Sequence, residues 1–272
     1  MHMQFMRLFL LCCCCLVSLN PRVLAQQLLR SLPVSAARQF STDEMGNIYL
    51  ITKDNGLIRY NANGDSTGNF RSIQYGELEW IDVTNPLRIL LYYPSFSRIV
   101  LLDRMLTVKN ELDLKKLNIY NPPAVGMSAD GRIWIYDYVN ARLKKIDVQL
   151  NVTHTSNDMR QESQTVPRPT ALLERDNRVY LCDPENGLYT FDRFAGYLNT
   201  LELKGIQKMQ AFGRQLVFRK NDSLQSYDLQ SLSLKSLHLP DAPDFLEARI
   251  ERQRLYYLYA DRLEIYRIEN EE

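Results

Sequence analysis

Six copies of one strand–turn–strand unit, the lack of any sustained helical period, and matching strand patterns at the two ends of the chain predict an all-β fold. The expected architecture is a six-bladed β-propeller closed by the N-terminal strand joining the last blade. One domain of this kind accommodates residues 26–272.

Residues 1–25 read as a targeting segment. Arg7 supplies the positive charge, Leu8 to Leu19 is a continuous apolar run, and Val23-Leu24-Ala25 fits a cleavage site after Ala25. About twelve apolar residues fall short of the roughly 20 that span a bilayer, so a cleaved signal is expected and not an anchor. Cys12 to Cys15 lie inside this segment, and Phe9-Leu10-Leu11 ahead of Cys12 argues against lipid attachment. The remaining cysteine, Cys182, sits in the apolar run Val179-Tyr-Leu-Cys182 and reads as a buried small hydrophobe. A single cysteine rules out an internal disulfide.

Gln27-Leu-Leu-Arg-Ser-Leu32 has the pattern of the outer strands found later, and the last copy stops at Ile268 after its third strand. Pairing of the first segment with the last copy leaves no long open edge. The first full copy is Asp43-Glu-Met-Gly-Asn-Ile-Tyr-Leu-Ile51, a turn on Asn55-Gly56, and Leu57-Ile-Arg-Tyr-Asn61. Asn-Gly between apolar runs predicts a hairpin in which both residues take positive φ. The second copy, Thr84 to Tyr92 with Phe96 to Asp103, diverges most. The others run from Ala129, Arg175, Gly213 and Glu251, each followed by a second strand ending at Asp147, Asp192, Asp228 or Arg267.

Blade centres fall near Ile48, Ile89, Ile133, Val179, Leu216 and Leu255, at steps of 41, 44, 46, 37 and 39 residues. That is the period of a four-stranded blade. Ile81-Asp-Val83 and Ala171-Leu-Leu-Glu174 read as innermost strands, and Leu198 to Leu203 and Leu234 to Leu239 as weaker outer ones. Leu112 to Leu117 has room for one short helical turn. Tyr49, Trp134, Tyr180, Phe218 and Tyr257 recur at one strand and are expected to pack blade against blade.

The chemistry is sparse. Lysine plus arginine (33) balances aspartate plus glutamate (32), which argues against nucleic acid as a partner. Beyond the targeting segment only His154 and His238 remain, in different copies, and no nucleophile elbow, P-loop or zincin motif occurs. No catalytic residue, metal or cofactor is therefore expected. A calcium-dependent propeller hydrolase or lactonase is the alternative, and Asp43, Asp82, Asp130 and Asp176 are its candidate ligands. Their surroundings, Asp130-Gly131 and Asp176-Asn177 above all, read instead as turn formers. Asn151-Val-Thr153 and Asn221-Asp-Ser223 match a glycosylation acceptor, and the polar stretch from Thr153 to Pro169 is either a contact loop or a tolerated insertion.

The divergent second copy gathers residue types that dominate interfaces. Arg88, Tyr92, Tyr93 and Phe96 are its candidate partner-binding residues; the competing reading is that the run Ile89 to Tyr93 is simply the best-buried strand. The run Ile81-Asp-Val-Thr-Asn-Pro-Leu-Arg-Ile-Leu-Leu-Tyr-Tyr93 with Ile99-Val-Leu-Leu-Asp103 resembles an exported propeller-like family of Bacteroidota, as does Asp176 to Leu181 with Asn186 to Asp192. The family includes the plug subunit of the type IX secretion translocon. The resemblance implies a non-enzymatic periplasmic protein, not itself membrane-spanning, that binds or seals a large outer-membrane β-barrel. The chain stops directly after a blade strand, which fits machinery of that system better than its cargo.

Overall fold

A computed structural model describes residues 27–163, 165–220, 223–237 and 244–268. The expected targeting segment at 1–25, Asn221 of the second glycosylation match, and His238 lie outside the described residues.

The described strands form six four-stranded antiparallel sheets. Strand β1 (Gln27–Pro33) comes first in the chain and is treated with the last blade. Blade one holds β2 (Ala37–Thr42), β3 (Ile48–Thr52), β4 (Gly56–Tyr60) and β5 (Ser66–Arg71). Blade two holds β6 (Trp80–Asp82), β7 (Ile89–Tyr93), β8 (Arg98–Leu102) and β9 (Val108–Asp113). Blade three holds β10 (Val125–Met127), β11 (Ile133–Asp137), β12 (Arg142–Ile146) and β13 (Val152–Thr155). Blade four holds β14 (Ala171–Arg175), β15 (Arg178–Asp183), β16 (Gly187–Asp192) and β17 (Tyr197–Leu201). Blade five holds β18 (Met209–Phe212), β19 (Gln215–Lys220), β20 (Ser223–Asp228) and β21 (Leu234–Leu237). Blade six holds β22 (Glu247–Glu251), β23 (Arg254–Leu258) and β24 (Arg262–Arg267), and its fourth strand is β1. Gln27 lies opposite Arg267 and Pro33 opposite Arg262, the predicted closure.

The hydrophobic pattern follows from this stacking. Each blade's two faces are covered by its neighbours, so the second strands β3, β7 and β11 are buried along their whole length and read as unbroken apolar runs. Outer strands such as β5 (Ser-Thr-Gly-Asn-Phe-Arg) are largely solvated and carry the weaker signal. The core is correspondingly divided into six clusters, one at each blade boundary. Tyr49, Trp134, Tyr180, Phe218 and Tyr257 all lie in these clusters, as predicted.

The turns that end the third strands share one device. Asn61, Asp103, Asp147 and Asp192 each accept, on Oδ1, the backbone N–H groups of the residues two and four positions on. Asp228 does the same for residues two and three positions on. These Asx turns explain why the first five copies close on an aspartate or asparagine.

One local reading needs correction and another gains detail. In the first hairpin Asn55 has φ +65°, but Gly56 already begins β4. The turn is centred on Lys53-Asp54, with the Thr52 carbonyl accepting from Asn55 and the Thr52 hydroxyl accepting from the Gly56 N–H. The stretch from Thr153 to Pro169, read as a contact loop or a tolerated insertion, is in part regular. It finishes β13 and then forms one helical turn, α1 (Met159–Glu162), capped by Asp158 and pinned by the fully buried Met159. The turn expected near Leu112 to Leu117 is a 3-10 helix at Leu114–Leu117.

Candidate functional site

The first strand of every blade lines the central channel, where its backbone has no further strand to pair with. Polar side chains from one inner strand reach the next and satisfy part of that edge. Asp82 Oδ2 accepts from Met127 N–H at 2.7 Å, bridging blades two and three. The Gln210 amide both donates to the Ile250 carbonyl and accepts from its N–H, bridging blades five and six. Glu247 accepts from Phe40 N–H at 3.3 Å, bridging six and one, and Gln39 donates to the Glu79 carbonyl at 3.1 Å, bridging one and two. Between blades three and four Glu174 accepts from the Ser128 hydroxyl at 2.6 Å and the Trp134 indole at 2.5 Å.

The channel encloses a cavity of about 610 Å³, lined by seven carboxylates and four cations. Most of these charges already have partners. Asp43 accepts from the Met45 and Asn47 amides, the Asn47 side chain and the Tyr49 hydroxyl. Asp82 also holds Thr84 through both its N–H and its hydroxyl. At the far end Lys208 sits 3.6 Å from Glu247. Arg249 and Glu251 differ. The Arg249 Nε makes a long 3.4 Å contact with Thr42 Oγ1, and its terminal nitrogens reach no carboxylate within ion-pair distance among the described residues. Burial lowers the guanidinium's pKa, against the opposing pull of Glu247, Glu251 and Asp82. Burial raises the Glu251 carboxyl above the usual range, offset in part by Arg249 and the Arg252 amide.

The four aspartates weighed as metal ligands do not converge. Asp43 and Asp82 are tied up as above, whereas Asp130 binds Arg132 and Lys145, and Asp176 lies beside Arg175. Among the described residues no group of three or more His, Cys, Asp or Glu is placed to hold a metal ion. Cys182 is fully buried, its Sγ donates to the Ile206 carbonyl, and burial pushes the thiol up to about 12, the inert hydrophobe expected.

The four candidate partner-binding residues are not brought together. They run the length of β7 and out of both its ends. Arg88 lies at the turn entering β7, where its guanidinium donates to the Gly131 carbonyl at 2.8 Å on one face of the disc. Tyr92 and Tyr93 point to opposite sides of the strand and are buried in the clusters between blades two and three and between one and two. Tyr92 spends its hydroxyl on the Pro122 carbonyl. Only Phe96, in the turn leaving β7 on the other face, is exposed. The alternating geometry of a strand covered on both sides separates residues that are adjacent in sequence.

Phe96 belongs to a different group. Its ring lies over Gly76, where an added Cβ would meet it at 3.0 Å, and the Lys115 ammonium stands 5.7 Å from its centre. The segment after Lys115 is tied back to the same turn, because Asn121 N–H donates to Ser97 Oγ at 2.7 Å. Tyr120 (58% exposed) follows in that segment, and Ile73 (90%) on the connection before β6 and Tyr138 and Val139 in the turn between β11 and β12 are exposed as well. Glu77 and Glu111 are paired with Arg38 and Arg98, whereas Lys115 and Lys116 face solvent without an ion-pair partner among the described residues. Phe96 and Lys115 thus stand together, and the other exposed apolar side chains sit on the connections around blades two and three. Sequence reasoning caught Phe96 but missed Lys115, Lys116 and Tyr120, which stand in a connection with no repeat signal.

Among the described residues no helix is long and apolar enough to cross a membrane. No family model matches the chain. No curated protein matches it either. Solved structures share its fold. The WD40 domain of Pan2 from Neurospora crassa superposes with a TM-score of 0.65 at 9% identity, over 91% of this chain and 96% of that one. Virginiamycin B lyase from Staphylococcus aureus gives 0.62 at 9% identity, over 90% and 100%. The β-propeller domain of Cps50 (Swd1) from Myceliophteria thermophila gives 0.58 at 10% identity, over 90% and 100%. At such identities the likeness is one of fold, and the chain is a six-bladed β-propeller.

Proposed function

We propose that this propeller is a non-catalytic, exported protein-binding subunit of a cell-envelope complex. The observation that carries the reading is the exposed Phe96 with the Lys115 ammonium 5.7 Å from its ring centre, together with exposed Lys116 and the exposed apolar side chains of Tyr120, Ile73, Tyr138 and Val139 on the connections around blades two and three. Aromatic and aliphatic side chains supply the desolvated centre of an interface, and free cations at its edge select an acidic partner. An acidic segment with apolar anchors is the complement of this surface. The sequence resemblance to the propeller-like family of Bacteroidota supports a specific candidate, the outer-membrane barrel of the type IX secretion translocon, sealed from its periplasmic side. The N-terminal Arg7 and Leu8 to Leu19 pattern supports export.

The test is affinity purification from the native envelope, with wild type compared against Phe96→Ser/Tyr120→Ser and against Lys115→Glu/Lys116→Glu. One outer-membrane barrel copurifies with wild type, and both variants lose it while melting as the wild type does. Retention of the same partner by both variants overturns the assignment of this surface. Stoichiometric calcium in the purified protein with hydrolytic turnover overturns the non-catalytic reading.

A further inference from the structure

The central channel offers a second, separate site. Its charges can be sorted by whether they already have partners. Asp43, Asp82, Glu174 and Glu247 accept hydrogen bonds from backbone or side chains of the blades, and Lys208 sits against Glu247. Glu44 and Arg252 also lack an ion-paired side chain among the described residues but are exposed to solvent, so the half-buried guanidinium of Arg249 and carboxylate of Glu251 stand out. Both line the cavity, and neither has an ion-paired side chain among the described residues. They stand two residues apart on β22 and so project to the same side of the strand, about 6–7 Å from each other along it.

A charged side chain drawn partly out of water without a partner is costly, and a ligand that supplies the partner recovers that cost. The sign of the ligand follows from the charges around it. With seven carboxylates and four cations lining the cavity, a simple anion meets net repulsion. A simple cation meets Arg249. A molecule bearing one group of each sign satisfies both free side chains and leaves the channel's charge unchanged. A volume of about 610 Å³ lies within the range of small-molecule sites.

We infer that the central channel binds a small zwitterion, an α-amino acid or a short free peptide, with its carboxylate on Arg249 and its ammonium on Glu251. The Arg249 fork suits a carboxylate, which accepts two parallel N–H donors. Glu251 accepts from the ammonium. The blade-bridging contacts of Asp82, Gln210 and Glu247 hold the walls around the ligand and are not consumed by it.

Isothermal titration of the purified chain with the proteinogenic L-amino acids, with Ala-Ala, and with blocked N-acetyl-alaninamide tests the site. At least one free amino acid or Ala-Ala binds at up to about 10 mM, a range in which weak sites still register, and the blocked compound gives no heat. Arg249→Gln and Glu251→Gln each weaken binding by about tenfold or more while the thermal melt shows a folded protein. Absence of binding by every free amino acid and by Ala-Ala overturns the proposal. So does equal binding of the blocked compound, or wild-type affinity in both variants. If Arg249→Gln does not fold, Glu251→Gln, which breaks no side-chain contact, carries the same test alone.

Discussion

Lys145 shows how a single charged residue is kept inside a blade boundary. Its side chain is almost fully buried, 4.7 Å from the centre of the Trp134 ring across the β11–β12 pair and 2.8 Å from Asp130. Burial alone would push the Asp130 carboxyl up, but it is outweighed by the hydrogen bonds from Lys145 and the Arg132 amide, which hold it at about 2 against an ordinary 3.8. A carboxyl depressed on folding stabilises the folded state fully above its unfolded pKa, and that contribution is lost as pH falls through the folded one. Urea melts between pH 4 and pH 2 are therefore expected to show a decline that Lys145→Met flattens. An unchanged slope in the variant removes Lys145 as the cause. None of this was visible in the sequence, because Asp130-Gly131 announces only a turn and Lys145 looks like any exposed strand lysine. Arg249 escaped for the related reason that its chemistry lies in what surrounds it and not in a motif.

Among the elements, the inner strands carry the tightest constraint. Gly126 of β10 faces β14 so closely that an added Cβ would lie 2.9 Å from the Leu172 carbonyl oxygen and 2.9 Å from its Cδ2. Gly126→Ala is expected to force blades three and four apart and to cost about 1–3 kcal/mol, the usual penalty for overfilling a packed region. Gly68→Ala on β5 is the control, since its added Cβ meets only the movable end of Leu106 at 3.3 Å. There the loss of glycine's backbone freedom offsets the contact, and the melting temperature stays close to that of wild type. Equal destabilisation by both changes refutes the close-approach account. The strand elements were largely legible because burial on two faces writes an unbroken apolar run. The helical turn at Met159–Glu162 was not, as four residues are too few to show a 3.6-residue period. The first hairpin was misread in detail because its turn, closed by the carbonyl and hydroxyl of Thr52, lies two residues back from Asn55-Gly56.

For the whole molecule, closure of the ring depends on β1. Without Gln27–Pro33 the outer edge of β24 has no strand to pair with. Deletion of these residues is expected to convert a single sharp thermal transition into a broad one and to produce oligomers on size-exclusion chromatography through the open edge. A monomeric, sharply melting truncation shows that closure is dispensable. The ring was readable because the same outer-strand pattern appears at the start and is missing at the end. The binding surfaces were less so. Tyr92, Tyr93 and Phe96 share a sequence signature, and only the three-dimensional path of β7 divides them between interior and surface.

The pairing of Gln27 with Arg267 also sets an order of events in time. Five of the six blade boundaries join segments that follow one another along the chain, and these can consolidate as successive blades are made. The sixth joins Phe40 and Ile48 to Tyr256 and Ile265, and it waits for the far end of the polypeptide. Contacts of such long sequence separation form slowly, because the loop between them must be closed before it is rewarded. The finished disc is thus a late product of its own synthesis. Until the last strand is available, the chain is an open array of blades with one vacant edge, the state most exposed to unwanted strand pairing.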